Sequence, residues 1–239
     1  MRATQNARER ARAQLTREIK EEARRQVAAA GAQQLSLRAV ARELGMVSSA
    51  LYRYYPSRDE LLTALIIDAY ESLGGAAEAA VAGAERASVR DRWRACCRAV
   101  RDWARARPHE YALIYGSPVP GYQAPPQTVA PAGRVPMVLG GLLAEAWQDP
   151  ERREAPAPAT RPAQPTLPGL LAGQAKAVAA VIAPGVPPDV IARALIAWTQ
   201  LFGMVSFELF GQLVGSADPA DDFFSYAVEQ MADLTGLPA

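Results

Sequence analysis

Histidine occurs once in the 239 residues, at His109, and cysteine only twice, at Cys96 and Cys97. A single histidine leaves no metal cluster to assemble around it, no His-bearing triad and no Glu-x-x-His pair of the carboxylate-bridged metal type. A phosphate-binding glycine loop is also missing. The expectation is a protein without metal, cofactor or catalytic residues. Adjacent cysteines on a helix would form a strained disulfide, so they read as reduced core or pocket residues of a cytoplasmic protein. Long uninterrupted apolar runs are lacking too. The longest apolar region, 190–214, is broken by Arg193, Gln200, Glu208 and Gln212, which fits a buried helix better than a membrane span. Residues 1–15 are Arg-rich and polar, unlike a signal peptide.

What the chain does hold is apolar residues, 50% of the total, at a net charge of only +1. The charge is unevenly spread. Residues 1–60 carry 12 Lys/Arg against 7 Asp/Glu, a balance of +5, whereas residues 61–239 carry 14 against 18, a balance of −4. A basic head on a mildly acidic body points the head at nucleic acid.

The head centres on residues 35–61. Ser36 can cap a helix whose apolar face is Leu37, Val40, Ala41 and Leu44, and Gly45 follows where a left-handed residue ends it. A second helix opens at or just before Ser48, buries Leu51 and cannot pass Tyr55, because Pro56 disfavours helical geometry in the preceding residue. Its outer face presents Ser48, Ser49, Tyr52, Arg53 and Tyr54, groups suited to phosphates and base edges. Arg53 is the best single candidate for sequence readout, since a bidentate Arg–guanine pair discriminates more strongly than one hydroxyl. A ring packed between helices competes with phosphate contact for Tyr52. Before this pair, Thr16 can cap a helix with Leu15, Ile19, Ala23 and Val27 inward, closing at Gly31. After it, Ser57 and Glu60 form a capping box ahead of Leu61, Leu62, Leu65, Ile66, Ala69 and Leu73. Arg58 lies in the first turn of that helix, where it could hold a phosphate. Gly74 and Gly75 should loosen its far end. Residues 1–14 read as a basic, flexible arm, with a DNA-touching role the lesser alternative.

The body reads as further helices. Over 88–107, Trp93, Cys96, Cys97, Val100 and Ala104 face inward, and Arg94, Arg98, Arg101 and Arg105 form an outer stripe expected to be a solvated face. Pro108 starts a short helix, and the turn-rich stretch 116–131 is long enough to border a binding site. Helices follow over 132–147 and 170–182, separated by a proline-rich segment, 149–168, expected to be mobile. Pro188 opens the apolar helix, and 219–234 is the last one. Trp93, Cys97, Tyr111, Tyr115, Leu139, Trp198 and Phe202 could together line an apolar pocket for a small apolar or aromatic ligand. Glu208, a lone carboxylate in an apolar helix, needs a partner: an arginine across a dimer, or water at an edge. Two final helices this apolar should pair with a second copy, through Phe207, Phe210, Leu213, Phe224 and Val228.

The stretch LSLRAVARELGMVSSALYRYYPSRDELL closely resembles the DNA-binding domain of TetR-type bacterial transcriptional regulators, over about residues 15–62. The segment AWTQLFGMVSFELFG resembles a C-terminal domain named for a Trp-His-Gly signature: Trp198, Gly203 and Glu208 fit, while Phe202 stands where histidine is expected. The resemblance implies an all-α protein: a three-helix helix-turn-helix domain at 15–62 and a larger helical ligand-binding and dimerisation domain at 63–239. It implies a homodimer on a palindromic double-stranded operator, with a small molecule in the body releasing a repressor. By carry-over, Ser48 and Ser49 lie near base edges, Tyr52 and Tyr54 contact phosphates or flank bases, Arg38 and Arg58 hold backbone, and Leu51 and Tyr55 are core. A constitutive DNA-binding regulator without ligand is the alternative, and a helical enzyme a remoter one.

Overall fold

The computed structural model describes residues 2–148 and 166–238, and among these every regular element is a helix. In chain order they are α1 (Arg2–Ala30), a 3-10 turn at Ala32–Gln34, α2 (Leu37–Glu43), α3 (Ser48–Leu51), α4 (Arg58–Gly83), α5 (Val89–Ala106), α6 (Pro108–Tyr115), a second 3-10 turn at Pro126–Thr128, α7 (Val129–Ala132), α8 (Arg134–Gln148), α9 (Gly169–Ile182), α10 (Pro188–Leu209) and α11 (Asp221–Thr235). The proline-rich segment 149–168 lies outside the described residues except for Thr166, Leu167 and Pro168, which lead into α9. Contacts divide the chain into two compact units: Met1–Ser72 with Arg107–Ala132, and Leu73–Ala106 with Gly133–Ala239.

In the first unit the predicted stripes meet. Ile19, Ala23 and Val27 of α1, Leu37, Val40 and Ala41 of α2, Leu51 of α3 and Leu61, Leu62, Leu65 and Ile66 of α4 form one buried core. Lys20 and Arg24 of α1 both pair with Asp68 of α4, which fixes how these two helices cross. Two expectations change here. The basic arm is helical, because α1 runs from Arg2 without a break at Thr16, whose hydroxyl donates back to the Arg12 carbonyl rather than capping. Pairs such as Gln14–Glu18 brace its polar surface, as they do in helices with little to bury. In addition, 107–132 belongs with the head and not with the rest of 63–239. Leu113, Ile114, Val119 and Tyr122 pack on the head's core, and the Tyr122 and Thr63 hydroxyls are hydrogen-bonded at 2.9 Å. The turn-rich stretch therefore seals the head's core.

The second unit is built on α5, whose predicted inward residues Trp93, Cys96, Cys97, Val100 and Ala104 are all buried. Two glycines let helices come close. A Cβ on Gly140 of α8 would sit 2.5 Å from the Ile182 carbonyl oxygen at the end of α9. One on Gly74 would meet the Arg134 side chain at 2.6 Å, so Gly74 admits that side chain, and α4 continues past it to Gly83 instead of loosening.

The arginine stripe of α5 is solvated at Arg98 and Arg105, which are exposed, but not along its whole length. Arg90 and Arg94 bind Glu229 of α11, Arg90 also binds Asp233, and Arg101 binds both Glu208 of α10 and Asp221 at the start of α11. Glu208 thus finds its arginine within its own chain. Among the described residues α10 is the one helix long and apolar enough to cross a membrane, yet half of its most apolar window is buried. Its Arg193 is paired with Asp189.

Candidate nucleic-acid interface and helical cavity

The turn between α2 and α3 is fixed by backbone geometry. Gly45, at φ +64°, donates to the Arg42 carbonyl and Met46 donates to Ala41, the paired closing bonds of a helix that ends on a left-handed residue. Ser36 accepts from the Ala39 amide at the other end of α2. α3 is only one turn, Ser48–Leu51, with Val47 at its N-cap and Leu51 fully buried. Residues 52–55 carry on in tighter turns, Tyr54 and Tyr55 both donating to the Leu51 carbonyl before Pro56. Burying Leu51 turns the opposite side outward: Arg38, Ser49, Tyr52 and Arg53 are exposed and Ser48 is half-buried. Of the predicted outer face, Ser49, Tyr52 and Arg53 are thus exposed and Ser48 half-buried, with Arg38 exposed on α2.

Two predicted contacts lie elsewhere. Tyr54 is half-buried against the core, and the Arg12 guanidinium of α1 stands over its ring at 5.4 Å from the centroid. Arg58 points back along the chain, donating to the carbonyls of Leu35 at 3.2 Å, Ala32 at 2.9 Å and Gln33 at 3.2 Å. It braces the entry to α2 by gathering the carbonyls of the 3-10 turn and of Leu35, with about 31% of its side chain still exposed. Sequence reading missed that brace and the exposed Arg42; Arg12 it placed in the basic arm without its contact to Tyr54. The alternation of arginines in residues 8–12 was the available signal for Arg12; nothing local foreshadows the Arg58 contacts.

In the second unit a cavity of about 180 Å³ lies among α5, α8, α9 and α10. Trp93, Leu139 and Trp198 line it, as predicted, joined by apolar residues such as Leu143, Ile182 and Ile191. Among the described residues no charged side chain is on its wall. Cys97 is buried in the adjoining core, and Phe202 stands edge-on to Trp198 at 6.0 Å between ring centroids. Tyr111 and Tyr115 belong to the first unit, where they stack at 5.2 Å and Tyr115 meets Tyr70 edge-on. The Trp93 indole donates to the Val228 carbonyl at 3.3 Å, whereas the Trp198 indole nitrogen is buried without an acceptor among the described residues. Burial pushes the Cys96 thiol up to about 12, and the Cys97 thiol is raised by the same cause. Neither is poised as a nucleophile. Among the described residues no cluster of His, Cys, Asp and Glu could hold a metal.

The expected pairing face also changes. Phe207 and Phe210 are about half exposed, and Leu213 is partly exposed. Phe224 and Val228 instead face inward on α11, Phe224 under the Arg101 guanidinium at 4.8 Å and Val228 against Trp93. Their outward neighbours are Phe223 and Tyr226.

Residues 19–65 match the family of bacterial regulatory proteins named for tetR, and residues 93–231 match the tetracyclin repressor-like C-terminal domain. The chain belongs to the TetR family. It is 40% identical over 209 residues to HTH-type transcriptional regulators of Mycobacterium tuberculosis and Mycobacterium bovis, covering 84% of this chain and 83% of theirs. The solved regulatory protein SCO4313 is 33% identical with a TM-score of 0.75, covering 94% of this chain and 98% of its own. A protein of unknown function from Rhodococcus sp. RHA1 shares the fold, with a TM-score of 0.66 at 24% identity over 94% of this chain and 96% of its own. TetR membership makes the chain a DNA-binding transcriptional regulator rather than an enzyme.

Proposed function

We propose that this TetR-family regulator is a cytoplasmic repressor that binds a near-palindromic duplex as a homodimer and leaves it when a small apolar or aromatic molecule fills the body. The observation that carries the ligand is the partly open apolar cavity of about 180 Å³ between helices. α4, which contributes residues to both units, is the element through which occupancy would alter the spacing of two reading heads. The partly exposed Phe207, Phe210 and Leu213, together with Phe223 and Tyr226, supply the apolar surface for a second copy. Arg38, Ser48, Ser49, Tyr52 and Arg53 carry the DNA contacts, with Tyr54 and Arg58 supporting them.

Selection of genomic fragments with the purified full-length protein tests this reading. The expected result is enrichment of one motif with two-fold symmetry, bound with an affinity that falls steeply with salt. Enrichment of no common motif would overturn the operator. Phe210→Glu should yield monomers in sedimentation with loss of operator binding; a persistent dimer would move the interface elsewhere. A constitutive regulator remains the second reading, favoured if no small molecule alters operator affinity.

A further inference from the structure

We infer that the cavity takes a neutral, roughly one-ring molecule carrying a single hydrogen-bond acceptor, which the Trp198 indole N–H binds. The inference rests on the ligand-responsive reading above and adds the chemistry of the ligand to it.

Size sets the first limit. An apolar void of about 150 Å³ accommodates a benzene ring, and this one is about 180 Å³, room for a ring with a short substituent. Charge sets the second. The wall, made of residues such as Trp93, Leu139, Ile191 and Trp198, carries among the described residues no ionic group to pair with a charge, so an ionised ligand would lose its hydration without compensation. The third limit is polar and comes from one atom. Of the two tryptophans on the wall, Trp93 already donates to the Val228 carbonyl, whereas the buried Trp198 nitrogen has no acceptor among the described residues. A buried donor left unmade is costly, and an indole N–H can only donate. A ligand carbonyl or ether oxygen would satisfy it. A pure hydrocarbon would leave it unmet, and a ligand offering only donors would add a second unmet group.

Calorimetric titration of the full-length protein with acetophenone, cumene and benzoate separates these limits, with Trp198→Phe as the variant that keeps an aromatic ring and removes the N–H. The expected result is that acetophenone loses about fivefold in affinity on Trp198→Phe, the worth of one neutral hydrogen bond. Cumene, of similar shape and without an acceptor, should change by less than about twofold, and benzoate should not bind. Equal changes for acetophenone and cumene would overturn the acceptor while leaving the cavity as a ligand site. Benzoate binding on a par with acetophenone would overturn the neutral class. Binding of neither neutral probe would overturn both this inference and the ligand reading beneath it. Should Trp198→Phe fail to fold, the wild-type protein with 15N-labelled indoles answers the same question. Acetophenone, and not cumene, should move one tryptophan side-chain proton downfield; no such difference would overturn the acceptor.

Discussion

Arg101 of α5 grips Glu208 of α10 with two parallel hydrogen bonds, Nε to one carboxylate oxygen at 2.7 Å and Nη2 to the other at 2.8 Å. Both side chains are mostly buried, and the remaining Nη1 donates to Asp221 of α11 at 2.9 Å. One guanidinium therefore ties three helices of the second unit together.

Breaking that pair from either side should be costly, because it leaves a mostly buried charge with only its lesser partner, Asp221 for Arg101 and Arg105 at 3.7 Å for Glu208. Arg101→Met and Glu208→Gln are each expected to destabilise the protein by about 3 kcal/mol. The double variant should lose clearly less than their sum, because it leaves no orphan charge. Urea unfolding of all four proteins measures the coupling, and simple additivity would show that the two residues do not act as a unit.

Glu229 gives the acid dependence. Its carboxyl is held down at about 2, first by the hydrogen-bonded Arg94 guanidinium, against the opposing effect of burial, and then by Arg90. A depressed carboxylate stabilises the fold fully above its unfolded value of about 4.3 and loses that contribution as pH falls through the folded value. Wild type should thus lose stability between about pH 4.5 and pH 2, and Glu229→Gln should flatten that slope while lowering stability at pH 7. Parallel slopes in thermal melts across this range would contradict the assignment.

In the head, Arg58 and Arg53 should separate by kind of effect. Arg58→Ala removes charge-assisted bonds to backbone carbonyls and should cost about 2 kcal/mol of stability, weakening every duplex alike. Arg58→Lys should rescue little, since an ammonium lacks the planar fork that reaches several carbonyls. Arg53→Ala should leave the melting temperature unchanged and alter the preferred sequence, by about 1–3 kcal/mol at one base pair. Binding panels run beside melts decide the matter; a sequence shift from Arg58→Ala, or uniform loss from Arg53→Ala, would reverse the roles.

Gly140→Ala should destabilise the second unit by about 1–3 kcal/mol, because the Ile182 backbone cannot rotate away from the added methyl as a side chain would. Since Gly140 also lines the cavity, any probe bound there should weaken as well. An unchanged unfolding midpoint would mean that α8 and α9 can slide apart freely.

Cys96 and Cys97 should resist iodoacetamide in the native protein and react readily once it is unfolded, since both are fully buried and their thiols are raised. Mass spectrometry before and after denaturant reads this directly. Native-state alkylation at either position would reveal an opening of the α5 core.

The helices and the head's core were legible because their signals are local. A capping serine, a left-handed glycine and an apolar period of 3.6 residues each act within one turn of chain, and Ser36, Gly45 and Leu51 do what their positions suggest. Contacts between distant segments were not legible. The α5 arginines resemble a wet face until α10 and α11 bring Glu208, Asp221 and Glu229 to them. Tyr111 and Tyr115 were aromatic enough for a pocket, yet α6 packs with the head. Phe223 and Phe224 differ by one step, about 100° around a helix, and the sequence does not say which of them turns inward. For the cavity, Trp93, Leu139 and Trp198 were named from composition alone; the idle Trp198 nitrogen emerges only once Trp93 is seen to be satisfied.

The carbonyls held by Arg58 lie 23 to 26 positions behind it, so its guanidinium shuts a loop that contains all of α2, the glycine turn and α3. The ends of the reading segment are therefore pinned to each other by a single side chain, with α1 and α4 anchoring the seam. Such a clasped segment is a cassette. Residues on its outer side can change without altering how the loop is closed, so operator preference can drift in evolution, or be exchanged by grafting, while the supporting helices keep the same core.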